Sequence, residues 1–170
     1  MKKEFEVKGP FKVETSPQPR GGLTIEKEAV EAFWKNSELE ELKQRFGIYV
    51  FAIKTSACYK PYYIGKTTKG YCKEIFTPPK LGKYRKAINE VKKGQPYMFF
   101  LIHPATKPPK DTEPIDELEI YLIQKGSKKN KKIYNVQNIE QGWSIKGLIR
   151  SETKQRSAAA RLFKDMFDLK

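Results

Sequence analysis

Two tripeptides, Gly47-Ile48-Tyr49 and Tyr63-Ile64-Gly65, set tyrosines fourteen residues apart, and Lys66 directly follows the second. Glu119 stands four residues after Ile115 and three before Leu122. That spacing puts it on their side of a helix, with its carboxylate expected beside the sheet. Asn135 lies sixteen residues further on, in the short extended piece Ile133-Tyr134-Asn135. Phosphodiester hydrolysis could use such groups: it requires a deprotonated water, neutralised phosphoryl oxygens and help for the leaving oxygen. Each residue alone also has a plainer reading. Tyrosines are common in strands. Glu119, close to Asp116 and Glu117, would more often belong to a solvated helix face, and Asn135 to a turn.

The charge points toward phosphate. The chain carries 34 basic and 20 acidic residues, net +14, of which +11 falls within residues 47–138. Residues 1–46 are neutral and residues 139–170 carry +3. A field this positive attracts polyanions, with nucleic acid the commonest partner. The basic stretch 83–93 has no Trp, Phe or Leu to anchor it in lipid, which argues against a membrane surface. Lys128, Lys129, Lys131 and Lys132 form a run that either tracks a nucleic-acid backbone or is a solvated loop. Arg150, Arg156 and Arg161 are further candidates for phosphate.

The elements that must position these groups follow from pattern. With 170 residues the chain fits one domain, alone or with an accessory part. Charged residues reach 32%, but ten Phe, nine Tyr and two Trp argue against disorder. No apolar run is long enough for a membrane span, and the N-terminus lacks a signal-like stretch, so a soluble, cytoplasmic protein is expected. Cys58 and Cys72 stand apart with no Cys-x-x-Cys pair and read as ordinary reduced thiols. His103, before Pro104 at a strand end, reads as incidental.

Phe5, Val7, Phe11 and Val13 alternate with charge around Gly9-Pro10, suggesting a short edge strand or hairpin. Thr24 is expected to cap a helix reaching about Asn36, and Ser37 to open a second through a capping box, with Gly47 ending it. Apolar runs at 48–53, 62–64 and 96–102 predict strands, the first two joined as a long-looped hairpin. Helices are predicted over 83–93, 115–124 and 157–169. The expected class is α+β, with a small antiparallel sheet of about three core strands flanked by helices. Residues 47–138 form the core, with extensions at 1–46 and 139–170.

The stretch Gly47-Ile48-Tyr49-Val50-Phe51 with Tyr63-Ile64-Gly65-Lys66 resembles the GIY-YIG nuclease superfamily. In that family a helix carries a metal-binding Glu and a short extended segment carries an Asn. Glu119, in Leu118-Glu119-Ile120-Tyr121, and Asn135 occupy those places. The resemblance covers roughly residues 47–138 and implies a divalent-metal-dependent endonuclease acting on DNA. Glu119 would then be the ligand of a Mg²⁺ or Mn²⁺ ion, and Tyr49 a general base or positioner of water. Tyr63 would orient water or phosphate, Lys66 would touch phosphate or Tyr49, and Asn135 would hold the site together.

The pattern departs from the family on the next helix. Lys73 stands where an Arg is usual; it keeps the charge but lacks the planar fork for bidentate phosphate binding. Thr77 takes the place of a frequent His or Tyr, and Pro78-Pro79 is expected to interrupt the helix. Lys80 or Arg85, Arg85 preferred, could supply the missing cation. The alternative expectation is a catalytically degenerate module that binds DNA or RNA without cutting.

Overall fold

The computed structural model describes residues 3–56, 58–91, 93–127 and 143–169. The elements are β1 (Lys3–Lys12), β2 (Ser16–Pro17), β3 (Leu23–Thr24), α1 (Lys27–Trp34), α2 (Ser37–Glu40), β4 (Gly47–Thr55), β5 (Cys58–Thr67), α3 (Tyr71–Glu74), α4 (Pro78–Glu90), β6 (Gln95–Ile102), α5 (Glu113–Ser127), β7 (Trp143–Ile145) and α6 (Ala158–Phe167). Five strands form one sheet in the order β5-β4-β6-β1-β7, and β2 and β3 make a separate two-stranded ribbon. The pairings in the main sheet are antiparallel except that of β1 with β7. The class is α+β, as expected. The apolar runs expected to be strands are β4, β5 and β6, but the sheet has five strands, with β5 at one edge and β6 in the middle.

The uninterrupted apolar runs of β4 and β6 come from burial on both faces, the usual reason for a strand without alternation. Tyr49, Phe51 and Ile53 of β4, with Met98, Phe100 and Ile102 of β6, join one core with Phe33, Leu39, Tyr71 and Tyr84 of α1 to α4. Ile48, Val50, Ala52, Phe99 and Leu101 join the opposite core with Ile115, Leu118 and Leu122 of α5 and Phe163, Met166 and Phe167 of α6. Burying one such side chain contributes about 1.5–3 kcal/mol relative to exposure. The two sides are called the α4 face and the α5 face below.

β1 is not the edge strand or hairpin its pattern suggests; it lies between β6 and β7. Lys8 pairs with Phe100 and Phe11 with Met98, so one extra residue is accommodated at Gly9-Pro10. Such a bulge reverses the facing of everything beyond it. Phe5 and Val7 accordingly pack on the α5 face, and Phe11 and Val13 on the α4 face. β5 bulges too: Phe51 pairs with Tyr63 but Ala52 with Pro61, leaving Tyr62 as the extra, exposed residue.

Several expected boundaries shift. Thr24 lies in β3, and the helix begins at Lys27. Asn36, not Ser37, caps α2 by accepting the Glu38 N–H. Gly47 starts β4 with a positive φ instead of closing a helix; a Cβ there would lie 2.1 Å from the Leu101 carbonyl oxygen. Strands β4 and β5 run on to Thr55 and Cys58, so the loop between them is short. As expected, no helix runs unbroken across residues 70–81: α3 ends at Glu74, and Pro78-Pro79 opens α4 at its first positions, where a missing N–H costs nothing. The segments expected at Ile133 to Val136 and the lysine run 128–132 lie outside the described residues. No helix among the described residues is long and apolar enough to cross a membrane. Both cysteines are free thiols, Cys58 exposed and Cys72 half-buried.

Candidate active site

The tyrosines meet because β4 and β5 are hydrogen-bonded neighbours. Tyr49 pairs with Gly65 and Phe51 with Tyr63, so the two tyrosines sit diagonally on the α4 face. Their rings lie 6.0 Å apart, tilted by 30°. Gly65 makes this possible: a Cβ on it would stand 2.4 Å from the Tyr49 hydroxyl oxygen and 2.5 Å from Cζ. The Tyr49 ring therefore occupies the space a side chain at 65 would fill. Tyr63 remains half-buried.

Three tyrosines with buried hydroxyls line this face, and they differ in one respect. Tyr71 donates to the Leu101 carbonyl at 2.9 Å, and Tyr84 donates to the Ile75 carbonyl at 2.8 Å. Among the described residues the buried Tyr49 hydroxyl has no well-formed hydrogen bond, Tyr63 offering only a weak one, although buried polar groups nearly always have a partner. Burial, followed by Tyr84, Tyr63 and Glu74 nearby, pushes its pKa far above the ordinary tyrosine value. The neutral phenol, the form that donates a hydrogen bond, is thus favoured.

Cations stand over both rings. Lys80 Nζ lies 5.7 Å from the centroid of Tyr49, and Lys83 Nζ lies 4.9 Å from that of Tyr63. Lys80 and Lys83 are one turn apart on α4, the spacing that brings two helical side chains to one side. Lys80 also forms an ion pair with Glu74 at the end of α3. Lys73, in the place of the usual Arg, is exposed on α3, and of the two candidates for the missing cation Lys80 is the one over the Tyr49 ring. Arg85 donates from Nε to the Thr24 hydroxyl at 3.0 Å, binding α4 to β3. Lys83, Glu74 and Tyr84 were not singled out from sequence. The i, i+3 spacing of Lys80 and Lys83 was visible, but only the helix start at Pro78 turns it into a shared face.

Glu119 and Lys66 come together on the other face. Lys66 Nζ sits 2.9 Å from Asp116 Oδ1 and 2.9 Å from Glu119 Oε2. Glu119 lies on the buried side of α5, as its spacing from Ile115 and Leu122 predicts, with only 18% of its side chain exposed. The hydrogen bonds that Lys66 donates to Asp116, then to Glu119, raise its pKa. The sheet separates this acid pair from the tyrosine pair, and β5, at one edge of the sheet, carries both Tyr63 and Lys66, the partner of the acid pair. Asn135, Lys128, Lys129, Lys131 and Lys132 lie outside the described residues.

Among the described residues, no group of three or more His, Cys, Asp or Glu side chains is placed to hold a metal ion. Asp116 and Glu119 nevertheless fit a hard dication: two carboxylate oxygens converge on one positive centre, and Mg²⁺ commonly takes one or two carboxylates and keeps several waters. Lys66 supplies that positive centre here. Of the C-terminal arginines, Arg150 stacks 5.1 Å from the Trp143 ring and Arg156 donates to the Gly147 carbonyl. Arg161 is exposed. Comparison of the chain with protein-family models, with curated proteins and with solved structures gave no match.

Proposed function

We propose that the protein is a divalent-metal-dependent endonuclease that hydrolyses phosphodiester bonds in DNA, with the hairpin β4–β5 at the centre of its site. The observation that carries this reading is the Tyr49 hydroxyl, a buried donor without a well-formed hydrogen bond among the described residues, in a ring that packs beside Tyr63 and under Lys80. Leaving such a group unpaired costs about 1–3 kcal/mol, a cost an acceptor arriving with the substrate would remove. Phosphate oxygens are acceptors of that kind, and the excess of +14 favours a polyanion.

In this reading Tyr49 donates to a phosphoryl oxygen and Tyr63 orients phosphate or water. Lysines over the rings offset the charge that grows on the phosphoryl group. Asp116 and Glu119 would hold the metal. A bound dication would supply Lewis-acid polarisation of a phosphoryl oxygen and a more acidic water, and the DNA strand would have to pass around the β5 edge of the sheet to meet both groups. Lys66 holds the two carboxylates together until then.

A second reading is favoured by the position of Lys66 and by the sheet between the acid pair and the tyrosines. In it the chain is a degenerate module that binds nucleic acid without cutting. Cleavage of supercoiled plasmid with Mg²⁺ or Mn²⁺ separates the two, comparing the native protein with Glu119→Gln. Nicking by the native protein that disappears in the variant supports the endonuclease. Salt-sensitive binding by both, with no cutting of plasmid, branched DNA or RNA by either, leaves the binding module.

A further inference from the structure

The Lys80–Glu74 pair has a property that neither reading uses. We propose that Lys80 is the cation that grips the nucleic-acid phosphate, and that Glu74 is its internal counter-anion, displaced when the phosphate arrives. This rests on the nucleic-acid reading above and holds whether or not the bound strand is cut.

Position identifies Lys80. It lies over Tyr49, whose buried hydroxyl has no well-formed hydrogen bond, while Lys73 is exposed and Arg85 is committed to Thr24. A cation and an unpaired O–H donor on one side of the sheet offer a phosphodiester both a charge and a hydrogen bond. Only 13% of the Lys80 side chain is exposed, so the ammonium is largely fixed. An unpaired ammonium in such a place is costly, and Glu74 supplies the charge it needs while the site is empty.

Glu74 is the partner free to leave. Its side chain is 32% exposed, against 13% for Lys80, and it sits on the last residue of the four-residue helix α3. Rotated outward, its carboxylate regains water, and a phosphodiester oxygen takes its place on the ammonium. The exchange replaces one anion with another at the same cation, so no charge is left unpaired in the site. Free Glu74 thus lowers affinity for weak or isolated anions, while a polyanion recovers the loss through its further contacts.

The test is fluorescence anisotropy with a labelled DNA duplex in metal-free buffer containing EDTA, over a range of salt. Glu74→Gln should tighten binding about threefold to tenfold, the scale of losing one net hydrogen bond that competes with the ligand. Lys80→Met should weaken it and lower the slope of log Kd against log salt by about 1, the signature of one lost phosphate contact. Lys80→Arg should keep most of the affinity, and Lys27→Met, on a remote exposed lysine, should not change it. In Glu74→Gln/Lys80→Met the gain from Glu74→Gln should vanish. If the double variant keeps that gain, Glu74 acts only through net charge and the proposal fails. Native binding with no change in either single variant also overturns it, leaving the nucleic-acid reading intact. Absence of DNA binding by the native protein overturns both.

Discussion

Replacing Tyr49 by Phe should make the protein more stable and less functional. The hydroxyl is fully buried and without a well-formed hydrogen bond, while the ring is packed against Tyr63 and beside Gly65. Phe keeps the ring, so no cavity opens, and only the unpaired group is removed. Relief of a buried unpaired hydroxyl is worth about 1–3 kcal/mol. For a chain of this size each kcal/mol moves Tm by about 2–4 °C, so the variant should melt roughly 2–12 °C higher. Urea unfolding followed by circular dichroism and by tyrosine or tryptophan fluorescence measures the change in free energy, with coincident curves checking two-state behaviour. The same preparation should bind DNA more weakly, since the donor is lost. Destabilisation by 1 kcal/mol or more would refute the reasoning: it would mean that the hydroxyl is bonded in solution, and the argument from an unpaired donor would fall with it.

The neighbouring tyrosine supplies the contrast. Tyr71→Phe removes a hydroxyl that donates to the Leu101 carbonyl and lies 3.3 Å from that of Ile48, so the same urea titration should show a loss of about 1–2 kcal/mol. Gly65→Ala should destabilise by about 1–3 kcal/mol, because its methyl would enter the space of a buried ring; an unchanged Tm would show that Tyr49 does not lie over Gly65. His103 is 1% exposed, with Nδ1 accepting the Ala105 N–H and Nε2 unpartnered. Burial, then Lys3 and Arg45, lower its pKa below 6.5, opposed by Asp111. The unfolded chain therefore binds more protons between the folded pKa and 6.5, and stability should fall as pH drops through that window, by at most about 1.4 kcal/mol per unit. Urea titrations from neutral pH to pH 5 on the native protein and on His103→Gln check this; equal pH dependence in the two would exclude His103 as the source.

Sequence pattern carried the centre of the fold and much less of the site. Unbroken apolar runs at 48–53 and 96–102 already say that both faces of those strands are covered, and the spacing of Glu119 from Ile115 and Leu122 says which side of α5 meets the sheet. The reach of the sheet was hidden by a single bulge. Gly9-Pro10 looked like the turn of a hairpin or a break in an edge strand. Because positions 5, 7, 11 and 13 keep one alternation, nothing in the pattern shows the bulge that sends them to opposite faces of an interior strand. The helix after the hairpin was obscured by Pro78-Pro79, which block a helix interior but suit its first turn; only their actual place aligns Lys80 and Lys83 with the tyrosines. The unpaired state of the Tyr49 hydroxyl had no sequence signal, since it depends on three-dimensional neighbours that Tyr71 and Tyr84 possess and Tyr49 lacks.

The interior place of β1 also sets a timetable for synthesis. Val7 pairs with Leu101, so the first strand made must wait for one made about ninety residues later, roughly 5–20 s at the usual rates of translation. During that interval Phe5, Val7, Phe11 and Val13 have no sheet to join, while β4 and β5 can already close as a local hairpin. Pairings this distant in sequence slow folding through the entropy of loop closure. The nascent protein thus passes through a stage with an apolar, unpaired β1 segment and an open flank on β4, and a holdase that covered either would shorten its exposure to self-association.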